Sequence, residues 1–141
     1  MVLSGAYTVD LGPDGGNPIT YTVADGTHIS GGNLLLLQDP RTAINSSDSS
    51  PGAAIVNRGA GVACFDKEAN DGSTTISCYT TGIFDIKCTN AVNAGDFVMI
   101  SGANTVAPIP DIPTASGGAI FGRALEDGSA DEVINVQLLL G

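Results

Sequence analysis

Apolar and polar residues alternate most regularly between residues 61 and 100. Ile76 and Cys78, then Phe84, Ile86 and Cys88, are interleaved with Ser77, Asp85, Lys87 and Thr89. A period of two puts the apolar set on one face of a strand, so this stretch predicts two short half-buried strands. Thr80-Thr81-Gly82 between them has hairpin length, and Gly82 can supply a positive φ. A second turn, Asn93-Ala94-Gly95-Asp96, leads into Phe97-Val98-Met99-Ile100, an apolar run short enough for a strand covered on both sides. Upstream, ITYTV (19–23) is β-branched and alternating and reads as the first strand. Leu34 to Leu37 read as a buried strand ended by Asp39-Pro40. Near the C-terminus, Val133 to Leu139 alternate around Asn135 and Gln137. The pattern predicts an all-β fold with little helix, a small β-barrel or sandwich of short strands joined by long Gly/Pro-rich loops. The domain spans residues 19–141.

The two halves echo each other. ISGGN (29–33) before four leucines matches VNAGD (92–96) before Phe97, and GVACFD (61–66) matches GRALED (122–127). Matches among small residues arise easily by chance. A structural repeat would mean a pseudo-symmetric barrel or sandwich made of two similar halves.

Composition narrows the function classes. A chain of 141 residues can build a core without metal or disulfide staples, and 19 Gly with 7 Pro favour turns over long helices. Fifteen acidic residues against five basic ones give a net charge of −10, which would repel nucleic acid and anionic membranes. No run approaches the ~18 apolar residues of a membrane span, and the N-terminus lacks a signal-peptide pattern. Synthesis in the cytoplasm, and retention there until assembly, is the expectation. Cys64, Cys78 and Cys88 are odd in number, lie inside strand patterns and form no CxxC pair. They read as small buried hydrophobes with free thiols, the alternative being a Cys78–Cys88 cross-strand bridge.

Candidate chemistry is sparse. His28 is the only histidine, no Ser lies in a GxSxG elbow, and no Cys has a histidine near it in sequence. Asp66-Lys67-Glu68-Ala69-Asn70-Asp71-Gly72 alternates oxygen ligands before a glycine, as a calcium loop does. Its glycine falls seventh rather than sixth, however, and Ser77 stands where a bidentate Glu would close the loop. It reads as an acidic solvated turn. Glu126-Asp127 and Asp131-Glu132 read as solubilising charge. No catalytic residue, cofactor or metal is expected.

Two irregular segments stand apart. Residues 1–18, with an apolar start and then LGPDGGNP, read as an extended N-terminal arm. APIPDIPTASGG (107–118) spaces Pro108, Pro110 and Pro113 so that neither helix nor ladder is expected. It is a stiff surface connection, or else a docking strap exposing Ile109 and Ile112. NSSDSSPG (45–52) has the composition of an exposed loop.

DPRT (39–42), DKEANDGST (66–74), YTTGIFDI (79–86), AGDFV (94–98) and SGGAIFGRALEDGSADEVINVQL (116–138) together resemble the capsid decoration, or cement, proteins of tailed viruses, bacteriophages included. The resemblance runs from about residue 19 to the C-terminus. The SSDSSPG loop, the proline strap and the three cysteines depart from it. It implies a non-enzymatic virion structural protein, similar in role to the lambda-type head decoration proteins. Such a protein sits as a homotrimer on the outer capsid surface, binds the major capsid protein and stabilises the expanded shell. On that reading Val2, Leu3, Tyr7, Val9 and Leu11 of the arm are the expected capsid-binding residues. They are apolar yet precede a Gly/Pro hinge, and an extended arm can add a strand to a neighbour's sheet edge. The alternative is that the arm pairs within its own domain or trimer. The rival function, a receptor- or carbohydrate-binding spike or tail module, calls for exposed aromatics. The chain has no Trp and three Tyr.

Overall fold

The structure, a computed structural model, describes residues 7–10, 18–38, 41–48, 58–109 and 120–140. Among these residues are eleven strands, β1 (Tyr7–Asp10), β2 (Ile19–Thr22), β3 (Leu34–Gln38), β4 (Thr42–Asn45), β5 (Gly59–Ala63), β6 (Thr75–Tyr79), β7 (Ile83–Cys88), β8 (Phe97–Gly102), β9 (Thr105–Pro108), β10 (Gly122–Ala124) and β11 (Val133–Leu138). One 3-10 turn, Ser46–Asp48, follows β4. Strands β2-β4-β3-β5-β6 close into a barrel. Strands β7-β11-β10-β8-β9 form a second sheet, and pairing of β9 back onto β7 closes it as well.

The two barrels have one topology. In each, the first strand runs antiparallel to the fifth and parallel to the third, as β2 does to β6 and β4, and β7 to β11 and β9. In each, the second strand pairs with the third and the fourth. Turn chemistry repeats too. Asp66 Oδ1 accepts the Gly31 N–H at 2.6 Å, and Asp127 Oδ1 accepts the Ala94 N–H at 2.7 Å. Ile29 exchanges backbone bonds with Lys67, as Val92 does with Gly128. Gly32 and Gly95 have φ of 90° and 94°, where a side chain would be strained. The sequence echo is thus a structural duplication, and the SSDSSPG loop and the proline strap prove to be the same connection, third strand to fourth, in its two halves.

Four expectations are corrected. The start of the 45–52 segment is not exposed loop: Asn45 ends β4, and both Asn45 and Ser46 are buried. Thr80-Thr81-Gly82 is not a hairpin turn: β6 pairs with β2 and β5, while β7 pairs with β11, β9 and β1. The tripeptide is the link between barrels, and Gly82, at φ 117°, turns the chain out of one and into the other. The run Phe97-Val98-Met99-Ile100 is covered on one side only, with Val98 and Ile100 buried and Phe97 37% exposed. The strand buried on both faces is its counterpart β3, where Leu34, Leu35 and Leu36 are all fully buried. Pro108 does lie in a ladder, at the end of β9 opposite Val98, a strand-end place a proline tolerates.

Among the described residues, two apolar clusters form the core. One lies inside the first barrel and includes Val23, Ile29, Leu35, Ala43, Ala63, Ile76 and Cys78. The other fills the second barrel with Phe84, Ile86, Val98, Ile100, Val106, Ile134 and Val136, and takes in Leu34, Leu36 and Val62 from the outer face of the first. The side of the first barrel therefore plugs the end of the second. The Phe121 ring lies against Gly59, where a Cβ would come within 2.4 Å of it. Cys78 and Cys88 sit in separate clusters, and all three cysteines are free thiols. Cys78 and Cys88 are buried, Cys64 half-buried.

Candidate functional site

The acidic turn 66–72 carries its own cation. Lys67 is 3% exposed, and its Nζ donates to the carbonyl oxygens of Asp25, Thr27 and Glu68 at 2.8, 3.1 and 3.1 Å. The Asp71 carboxylate lies 3.3 Å away. Several oxygens converge there as they would on a metal, but the ammonium fills the cage. The turn is therefore not simply solvated; Lys67 clamps it to the β2–β3 connection. The Ser73 N–H holds the Asp71 carboxyl below its ordinary range, with Lys67 adding to the effect. Among the described residues no group of three or more His, Cys, Asp or Glu is placed to hold a metal.

The other candidate groups are spent on structure. His28 is exposed, 3.5 Å from Glu68 and 3.3 Å from the Ser30 hydroxyl. Glu126 accepts the Asn135 N–H and Glu132 accepts the Ser129 N–H, so the paired carboxylates brace turns besides carrying charge. Burial pushes the Cys78 thiol up to about 12 and raises those of Cys64 and Cys88, which leaves little thiolate at neutral pH.

What remains is surface. Of the arm residues, Tyr7 and Val9 fall in β1, which lies antiparallel on β7 with Tyr7 opposite Asp85 and Thr8 opposite Phe84. That part of the arm pairs within its own chain. Val2, Leu3 and Leu11 lie outside the described residues, as does Ile112 of the strap. Ile109 is half-buried and donates its N–H to the Phe97 carbonyl, so the strap leaves the barrel beside β8. The matching edge of the first barrel is blunted. Pro18 stands where Ile83 receives β1 and offers no N–H, while Arg41 Nη2 donates to the Thr20 carbonyl. Among the described residues the exposed large apolar side chains are Phe65, Phe97, Val133 and Leu139.

A surface that the sequence did not single out is the joint between the barrels. Asn104 Oδ1 accepts the Leu34 N–H at 2.8 Å, its N–H donates to Ser46 Oγ, and its Nδ2 donates to Asn33 Oδ1. Asn33 in turn donates to Asn45, which donates to the His28 carbonyl. This half-buried seam of amides fixes the orientation of one barrel on the other, because each member needs its partner in place. No apolar pattern marks it, because Asn33 and Asn104 lie just before β3 and β9, outside the alternating stretches.

A family model described as phage cement protein matches residues 13–139. No curated protein sequence matches the chain. Among solved structures, the N base of head fiber gp8.5 in bacteriophage phi29 is similar in fold, at 16% identity and a TM-score of 0.52. The match covers 89% of this chain and 95% of that one. With the family model covering nearly all of a two-barrel fold whose polar groups brace turns and the joint, the chain belongs to the phage cement protein family and is a virion structural protein associated with the capsid.

Proposed function

We propose that this protein coats the outer surface of a tailed-phage head, binding across neighbouring copies of the major capsid protein as a homotrimer and stabilising the expanded shell. The family match over residues 13–139 carries the reading. The fold is consistent with it: loops tied by Asp66, Lys67 and Asp127 present a fixed surface, so little ordering entropy is lost on docking. The likeness to the base of a head fiber fits a small β module seated at a capsid surface. Stabilisation follows from mass action, since a ligand that binds only the assembled, expanded shell shifts the balance towards it. The net charge of −10 argues for a protein partner rather than nucleic acid or an anionic membrane.

The capsid contact is assigned to the arm, with Val2, Leu3, Tyr7, Val9 and Leu11, and to the strap at Ile109 and Ile112. Because β1 pairs with β7 along one edge, a capsid strand would take its other edge, with the flanking apolar residues filling pockets. The test compares expanded, decoration-free heads with and without added protein. The bound protein is expected to raise the temperature at which heads lose DNA, and deletion of residues 1–14 to weaken binding at least tenfold while the protein stays folded. Unchanged head stability at saturation would sink the cement role. Unchanged affinity after the deletion would move the anchor to the strap.

A further inference from the structure

Because the two barrels share one topology, each has the same outer side on its second and fourth strands and the same lower end. Within the chain one side meets one end: Leu34, Leu36 and Val62 of the first barrel cover the end of the second, marked by Phe84, Ile100 and Asn104. This leaves one side and one end over. The spare side, on the second barrel, carries Phe97 in the place of Leu34, Met99 in that of Leu36 and Arg123 in that of Val62. The residues it matches are 1% exposed or less, whereas Phe97 is 37% exposed, Met99 half-buried and Arg123 exposed. The spare end, on the first barrel, has half-buried Ile19 and Leu37 where the covered end has fully buried Phe84 and Ile100.

The corners of the joint change in a complementary way. Inside the chain, Asn104 donates to Asn33 across the contact. The residue matching Asn33, just before β8, is Asp96; the residue matching Asn104, just before β4 and with φ of 51° against 57°, is Arg41. The spare side therefore bears a carboxylate and the spare end a guanidinium at the two positions that touch in the internal joint. Arg41 is one of only five basic residues in the chain.

We infer that copies of this protein join head to tail, the Phe97/Met99/Arg123 side of one receiving the Ile19/Leu37 end of the next, with Arg41 paired to Asp96 across the joint. A contact between unlike surfaces does not stop at two copies; it closes into a ring or grows into a filament. The inference rests on the self-assembly in the proposed function and names its surfaces. Three copies would place six like barrels in the ring. Arg–carboxylate geometry gives such a joint direction as well as attraction.

Native mass spectrometry and light scattering on the full chain test this without any capsid. Wild type is expected to give one closed species larger than a dimer. Phe97→Glu and Arg41→Glu are each expected to give monomers with an unchanged far-ultraviolet spectrum. Mixing the two variants is expected to restore a single joint and give heterodimers, since each retains one sound surface. The charge exchange Arg41→Asp with Asp96→Arg is expected to recover the wild-type species. A monomeric wild type, variants that assemble unchanged, or a two-fold dimer insensitive to both changes would overturn the inference. A monomer that still coats heads would overturn this joint while leaving the capsid role standing.

Discussion

Lys67 shows best how a single residue governs a loop. Replacing it with Met keeps the bulk of the side chain but leaves three carbonyl acceptors without their donor. At about 1–3 kcal/mol for a buried acceptor, and allowing for rehydration of some, the loss should be about 3 kcal/mol. Chemical denaturation of Lys67→Met checks this, and Asp66→Ala should cost less because it removes one cap, that of Gly31. Cys78 makes a pH prediction. Its folded thiol is raised to about 12 from an ordinary value of 9.0, so the native state holds the proton more tightly than the unfolded chain does. That contribution to stability is complete below about pH 9 and is lost as pH rises towards 12. A Cys78→Ala variant should therefore lose less stability than wild type between those limits, as followed by denaturation at fixed temperature. The burial of Cys78 and Cys88 was legible from alternation alone. The burial of Lys67 was not, because an ammonium caged by backbone carbonyls leaves no mark in a pattern of apolar residues.

Among the elements, strands with clean alternation were legible and their partners were not. Ile76 and Cys78 announce β6, and Phe84 and Ile86 announce β7, but nothing local says that the three residues between them pass from one barrel to another. The echo between ISGGN and VNAGD held that information, since a duplicated unit keeps its pairings to itself. Short strands such as β4 and β9 leave little mark in the sequence because each pairs through only a few residues beside turn-forming sequence. For β1, pairing with β7 makes a distinct prediction. Removing residues 1–10 should speed amide hydrogen exchange near Ile83, Phe84 and Asp85 while leaving β2 to β6 unchanged. Equal protection in the truncated protein would show that the arm adds nothing to that sheet.

At the scale of the molecule, two barrels behave as one body because the second core includes Leu34, Leu36 and Val62 of the first. A chain cut after residue 81 would expose these three side chains, and neither half should fold stably alone. The whole protein should unfold in a single transition by both far-ultraviolet signal and calorimetry. Gly59→Ala probes the same joint, since its Cβ would press into the Phe121 ring; an overpacked core of this kind costs about 1–3 kcal/mol. The family match places this body at a phage capsid. Saturation binding to purified heads, read as copies bound per head, tests the cement role most directly. Expanded, decoration-free shells are expected to take up the protein to a fixed stoichiometry comparable with that of the major capsid protein, and unexpanded shells to take up little. Equal uptake by both forms, or a handful of copies per head, would contradict it.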